Sequence, residues 1–232
     1  MDADERIEFA LSHTEVVRYP QQRLATFGVT SIFYYLITEP LYADLAGGTK
    51  ETVIRDGKVV AEKPKIVTPA YLARLEGFGD NARKYIEKLV RENPYAPGLY
   101  YSYRNEPREI NIVSDPPEAV IYKLNEKIER GSDPLTAIVR GVDELWDVSL
   151  LKFIAELTEQ SFRHNVAEFQ MKGLLDIDES GVTAHARYLI EQLFKQAEKD
   201  PSAISELKLE LDRWGLFSEY EGRFLSLFRR RG

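Results

Sequence analysis

Apolar positions recur along this chain with two different periods. Up to about residue 113 they alternate or run together in short blocks, which is the signature of strands. Beyond that they return every three to four residues, as on helices with one buried face. The block SIFYYLIT (31–38) is apolar on both faces and predicts a central strand. TEVVR (14–18) predicts a shorter one. ETVIR-DG-KVVAEK (51–63) predicts a hairpin, with Asp56-Gly57 supplying the positive φ of a two-residue turn. LYYSYR-NEP-REINIV (99–113) predicts a second hairpin. The helical period predicts helices over 4–11, 69–76, 80–92, 116–130, 134–145, 149–171, 183–199, 201–213 and 219–229.

Start signals mark several of these helices. Thr68-Pro69, Asp115-Pro116, Asp133-Pro134 and Asp200-Pro201 each place a capping side chain before a proline, which has no N–H to leave unbonded in a first helical turn. Ser218 and Glu221 have capping-box spacing, and Thr183 stands before a further helix. Glycines 77, 131, 173 and 215 fall where helical periodicity stops.

Strands first and helices afterwards predict an α+β fold: an antiparallel, β-hairpin-rich N-terminal half packed against a mostly helical C-terminal half. The seam is expected at Ser114-Asp115, dividing 1–113, an α+β region with two β-hairpins, from a helical region 114–232. No flexible linker is written at that seam, so one continuous domain is the alternative.

Charge and composition narrow the partners. The net charge of −7 is uneven, with 15 basic and 16 acidic residues in 1–113 against 16 and 22 in 114–232. An acidic helical half argues against nucleic acid, whose readers present a basic face. The start MDADERIEFALSH has neither the positive, apolar pattern of a secretory signal nor the acid-poor pattern of a transit peptide, and the apolar stretch 29–38 is too short for a bilayer. A cytoplasmic, non-membrane protein is expected. The chain lacks cysteine, which removes thiol nucleophiles and thiolate metal sites. With two Met, six Asn and six Gln, and 18 Arg against 13 Lys, the composition also suits a heat-adapted protein.

Motifs with chemical meaning are scarce. The histidines 13, 164 and 185 are scattered, without H-x-H or H-E-x-x-H spacing, so no metal is expected. Asp176, Asp178, Ser180 and Gly181 fill four positions of a calcium loop, but Arg187 stands where a bidentate Glu must be; a polar turn is the expected reading. Gly47-Gly48-Thr49-Lys50 precedes a strand rather than a helix and predicts a connecting loop, and no other cofactor loop is legible. The stretch 52–64 resembles the small β-domain hairpin of amidohydrolases, and the resemblance ends there because that family's H-x-H ligands are missing.

Two constellations remain. Tyr100, Tyr101 and Tyr103 beside Arg104 and Arg108 have the aromatic and basic character of a single-stranded RNA platform, although tyrosine is also an ordinary strand residue. In GVDELWDVSLLKF (141–153), Asp143 and Asp147 are four apart, on one face of a continuous helix with Trp146 beside them. Paired carboxylates could do acid–base work or serve simply to start a helix. Asp143 and Asp147 are therefore the catalytic candidates; Tyr101, Tyr103, Arg104 and Trp146 are the binding candidates. The expected function is a non-enzymatic binding or assembly protein, its partner another protein or a second copy, with no cofactor. The alternatives are a small-molecule enzyme using carboxylate and Arg chemistry and, after that, an RNA-associated protein. An apolar stripe of Phe224, Leu225 and Phe228 ahead of three arginines is expected to dock the last helix on the chain's own core.

Overall fold

The computed structural model describes residues 3–40, 51–74, 87, 90–93 and 96–229. In chain order its elements are α1 (Ala3–Ser12), β1 (Glu15–Arg18), β2 (Thr30–Thr38), β3 (Thr52–Ala61), β4 (Lys65–Val67), α2 (Pro69–Leu72), β5 (Gly98–Tyr100), β6 (Tyr103–Val113), α3 (Pro117–Gly131), β7 (Thr136–Arg140), a 3-10 turn (Asp143–Leu145), α4 (Trp146–Met171), α5 (Ala184–Lys199), α6 (Ala203–Trp214) and α7 (Phe217–Arg229). The fold is α+β, with its mixed, largely antiparallel sheet drawn mostly from the first half of the chain and its helices mostly from the second. The glycine-rich stretch 46–50 and most of the helix expected over 80–92 lie outside the described residues. The chain forms two compact units, Met1–Lys63 with Tyr101–Asn165, and Pro64–Tyr100 with Val166–Gly232.

In the first unit the sheet order is β1-β7-β2-β3-β6, with β2 and β7 parallel and the other pairs antiparallel. The two-faced apolar pattern of β2 places it at the centre, as expected. Its Tyr34 and Leu36 share a core with Ala137, Val139, Leu150 and Phe153, beneath α4. Its Ile37 turns to the opposite face and packs with Ile138, Val120 and Ile128 under α3. Strand alternation thus produces three layers, helix, sheet and helix.

Three expected elements turn out differently, for one physical reason. The segment 134–145 is not a helix. TAIVR (136–140) is the strand β7, buried on both faces, and Asp133 accepts from Leu135 N (3.0 Å) and Thr136 Oγ1 (2.7 Å) to make a turn rather than a helix cap. A short apolar run without polar punctuation suits either structure, and a slot beside β2 decides it. The two expected hairpins are also absent. β3 and β6 each run unbroken through their expected turns, and Asp56 and Gly57 lie opposite Glu109 and Pro107. The register slips there and leaves Arg108 as an extra residue, a bulge. Two local turn signals have annealed into one irregularity in a long ladder. β6 is the sheet's edge, where a proline without an N–H is tolerated.

Helix caps divide in the same way. Thr68 and Thr183 cap as expected, accepting from Tyr71 N and Ala186 N. Asp115 does not: Pro116 holds the cap position, while the Asp115 carboxylate pairs with Lys123 at 2.7 Å. Ser218 lies inside α7, which begins at Phe217, so the capping box is not formed.

In the second unit β4 and β5 pair in a short ribbon, and α5, α6 and α7 surround a core containing Ile190, Phe194, Leu207, Leu211 and Phe224. The acidic loop before α5 is a polar turn. Asp178 accepts from Ser180 N and Val182 N, and the Arg187 guanidinium sits against its Oδ2 at 2.8 and 2.9 Å. Burial works to raise the Asp178 pKa, yet these N–H donors and Arg187 hold its carboxyl below the ordinary carboxylate range. Arginine fills the loop as a cation would.

Glu210 is buried in this unit between Tyr71 Oη (3.1 Å), Arg213 (3.2 Å) and Lys65 (3.6 Å). Burial, with the Glu210 carboxylate adding to it, lifts the Tyr71 hydroxyl to about 12. In the first unit, burial and then the bond from Tyr19 to Glu156 lift Tyr19 to about 12. Both values stand above the unfolded tyrosine value of about 10. The folded chain therefore favours the neutral phenols: their contribution is complete below about pH 10 and is lost as pH rises through the folded values. Urea melts should show a steeper loss of stability over that window for the natural chain than for Tyr19→Phe/Tyr71→Phe. Equal slopes would refute the assignment.

Candidate functional site

Two neighbouring parallel strands, β2 and β7, end side by side in the first unit. The chain leaves β7 through Gly141 and the 3-10 turn into α4 on one face. Leaving β2, it continues to β3 in the sheet itself. A crevice opens beyond the carboxyl ends of the pair, the location where open sheets with parallel strands commonly hold ligands. The cleft has a volume of about 480 Å³ and is lined by the end of α1 and by residues from both strand ends.

Its floor depends on close approach. Gly141 N extends the parallel ladder by donating to Ile37 O at 2.9 Å. A Cβ on Gly141 would stand 2.6 Å from Ser149 Cβ and 3.2 Å from Leu36, so no side chain fits. Buried Ser149 accepts from Val142 N at 3.2 Å and lies 2.7 Å from Thr14 Oγ1, which ties the floor to the end of α1. Lys152 completes that tie by donating to the carbonyls of Leu11 (2.8 Å) and Thr14 (2.7 Å), satisfying a helix C-terminus with a cation.

Charges of both signs line the walls. Asp143 accepts from Thr38 Oγ1 at 2.7 Å and Arg55 Nη1 at 2.6 Å, in an ion pair whose side chains are only 19 % and 17 % exposed. Arg55 also lies over the Trp146 ring, 6.0 Å from its centroid. Arg140 reaches Glu118 at 3.2 Å and Glu39 at 3.8 Å. Glu15 and Glu39 contribute carboxylates to the lining. His13 stacks on Phe9 at 3.9 Å, and its Nδ1 lies 2.8 Å from the Phe9 carbonyl. A carbonyl can only accept, so Nδ1 donates to it, and in the neutral ring Nε2 is the acceptor.

The candidates read from the sequence fall into two groups. Asp143 and Trp146 meet at Arg55, and Asp143 lines the cleft. Asp147 is exposed, accepts from Val148 N at 3.0 Å and lies outside the cleft lining. The 3-10 turn between the two acids breaks the helical spacing that would have aligned them. Tyr101 and Tyr103 pack on the core beneath α4, with ring planes 8° apart and centroids 6.3 Å apart. Their hydroxyls are bound to Asn165 (3.0 Å) and Thr158. Arg104 is exposed beside Glu106, 2.8 Å away. These three are thus placed on the edge strand and at its foot, apart from the cleft. His13, Glu15, Glu39 and Arg140 were not singled out as site residues in the sequence, because their meeting is a product of three separate segments.

Among the described residues no group of three or more acidic or histidine side chains could hold a metal ion, and no helix is long and apolar enough to cross a membrane. No known protein family, curated protein or solved structure matches the chain.

Proposed function

We propose that this chain is a non-enzymatic binding protein that holds a small polar ligand in the cleft beyond β2 and β7. One observation carries the reading: a cleft of about 480 Å³ at the carboxyl ends of a parallel pair, within the size range of small-molecule sites. Arg140 suits an anionic group on the ligand, while Glu15 and Glu39 suit donors such as an amine. The ion pair of Asp143 with Arg55 is already complete, which favours a rigid wall over a group that moves protons.

A panel of amino acids, small carboxylates, amines and nucleotides, read by thermal shift, tests this. A ligand at a hundred times its Kd should stabilise the fold by about 2.7 kcal/mol. Val142→Trp, which fills the cleft, should abolish the shift. A shift that survives in that variant, or no shift across the panel, would count against the cleft.

A small-molecule enzyme is the second reading, favoured by the acceptor Nε2 of His13 on the cleft wall. Turnover of a bound compound, lost in His13→Gln while binding remains, would replace the first reading with this one.

A further inference from the structure

The sheet of the first unit ends in β6, and among the described residues no strand pairs with its outer edge. Its two halves differ. Up to Arg108 the edge is obstructed, since Pro107 has no N–H and Arg108 is the bulged residue. From Glu109 to Val113 it is regular, and it contains none of the lysines or prolines that usually protect an edge.

Glu109 N donates inward, to Asp56 Oδ1 at 2.8 Å. Strand alternation then turns the N–H groups of Asn111 and Val113 inward as well, and those of Ile110 and Ile112 outward. The side chains of Ile110 and Ile112 share one face and are 67 % and 57 % exposed. Leu151, 63 % exposed, lies two turns before Thr158 on the side of α4 that touches β6 through Tyr103. Open hydrogen-bonding groups and uncovered aliphatic side chains thus coincide on one short stretch.

We infer that this stretch pairs with the same stretch of a second copy, antiparallel about a two-fold axis at Asn111. That register sets Ile110 opposite the partner's Ile112 and, by symmetry, Ile112 opposite its Ile110. Both pairs use the outward N–H and C=O groups, giving four interchain hydrogen bonds and two aliphatic cross-strand pairs on one face. The alternatives are worse. Moving the axis to Ile110 brings Arg108 and the bulge into the ladder, and moving it to Ile112 brings in Ser114, where the strand has ended. The strand's own sequence is therefore its best complement, which is why a second copy is the occupant rather than an unrelated peptide. Five residues a strand place the interface at the small end, under roughly 1,200 Å², so the dimer is transient and concentration-dependent.

The absence of cysteine makes a direct test possible. On the axis, Asn111→Cys would face its symmetry mate across a non-hydrogen-bonded pair, about 4.5 Å between Cα atoms, within disulfide reach. Arg104→Cys, on the obstructed half, serves as the collision control. Under mild oxidation the full chain carrying Asn111→Cys should form covalent dimer at least roughly tenfold faster than Arg104→Cys. Ile110→Lys added to Asn111→Cys should remove that advantage, with the melting temperature of each variant confirming its fold. In sedimentation, the average mass of the natural chain should rise with concentration, and that of Ile110→Lys should stay at the monomer. Equal crosslinking of the two cysteine variants, or a monomer at all concentrations, would overturn the proposal.

Discussion

Phe224→Ala is expected to cost about 3–4 kcal/mol of stability, and Phe228→Ala less than about 1 kcal/mol. The two residues lie one helical turn apart in α7, yet only one reaches the core. Phe224 is 7 % exposed and meets Phe217 edge to face at 5.5 Å, among the buried residues of the second unit; Phe228 is 53 % exposed. The residues of α7 that pack inward are Phe217, Tyr220, Phe224 and Leu227, spaced three, four and three apart as a helical stripe requires. Removing the Phe224 ring leaves a cavity walled by α5 and α6 side chains that cannot collapse without disturbing their own packing. Removing Phe228 takes away one edge-to-face contact, at 5.7 Å, and little else. Denaturant melts of the two single variants, with m unchanged, will measure the difference. Equal costs would mean that α7 is rotated from the position described.

The expected stripe of Phe224, Leu225 and Phe228 was therefore right about the helix and its docking, and one residue off in its facing. Three apolar residues in five positions fit two overlapping stripes, and only Tyr220 and Leu227, which complete one of them, decide between the two. β7 shows the same limit in stronger form. TAIVR has no period to read over five residues, and the aspartate-proline before it looks like a helix start. What makes it a strand is the edge of β2, contributed by residues about a hundred positions earlier. Where the local pattern is long and consistent, as in β2 and α4, the sequence was enough. The cleft was hardest to foresee. Asp143 was visible as a carboxylate with chemical potential, but its partners Thr38 and Arg55 are 105 and 88 residues away. Nothing local relates His13 or Glu15 to Arg140. They share a wall because α1 and β1 are threaded beside the end of β7, and topology of that kind is written only in the pairing of strands.

Gly57→Val is expected to destabilise the chain by about 3 kcal/mol, the upper part of the range for overpacking a core. Valine is a better strand residue than glycine, so local propensity alone predicts the opposite sign. The cause is Tyr34. Its ring, 2 % exposed, lies across Gly57 on the neighbouring strand and continues to β6, where its hydroxyl donates to Asn105 at 3.0 Å. A Cβ on Gly57 would stand 2.6 Å from Tyr34 Cζ and 2.9 Å from Cε1. A ring fixed at both ends has nowhere to move, so either the hydrogen bond or the strand spacing must give. The sequence suggested another reason for this glycine, the positive φ of a hairpin turn, but the positive-φ glycines among the described residues are 173, 181 and 215. The two explanations separate in a double-mutant cycle. In a Tyr34→Leu background the side chain no longer crosses β3, and the Gly57→Val penalty should fall below about 1 kcal/mol, a coupling of about 2 kcal/mol between the sites. A backbone requirement at Gly57 would instead cost the same whatever stands at position 34. That result would restore the turn and remove Tyr34 as the reason β3 carries a glycine at its centre.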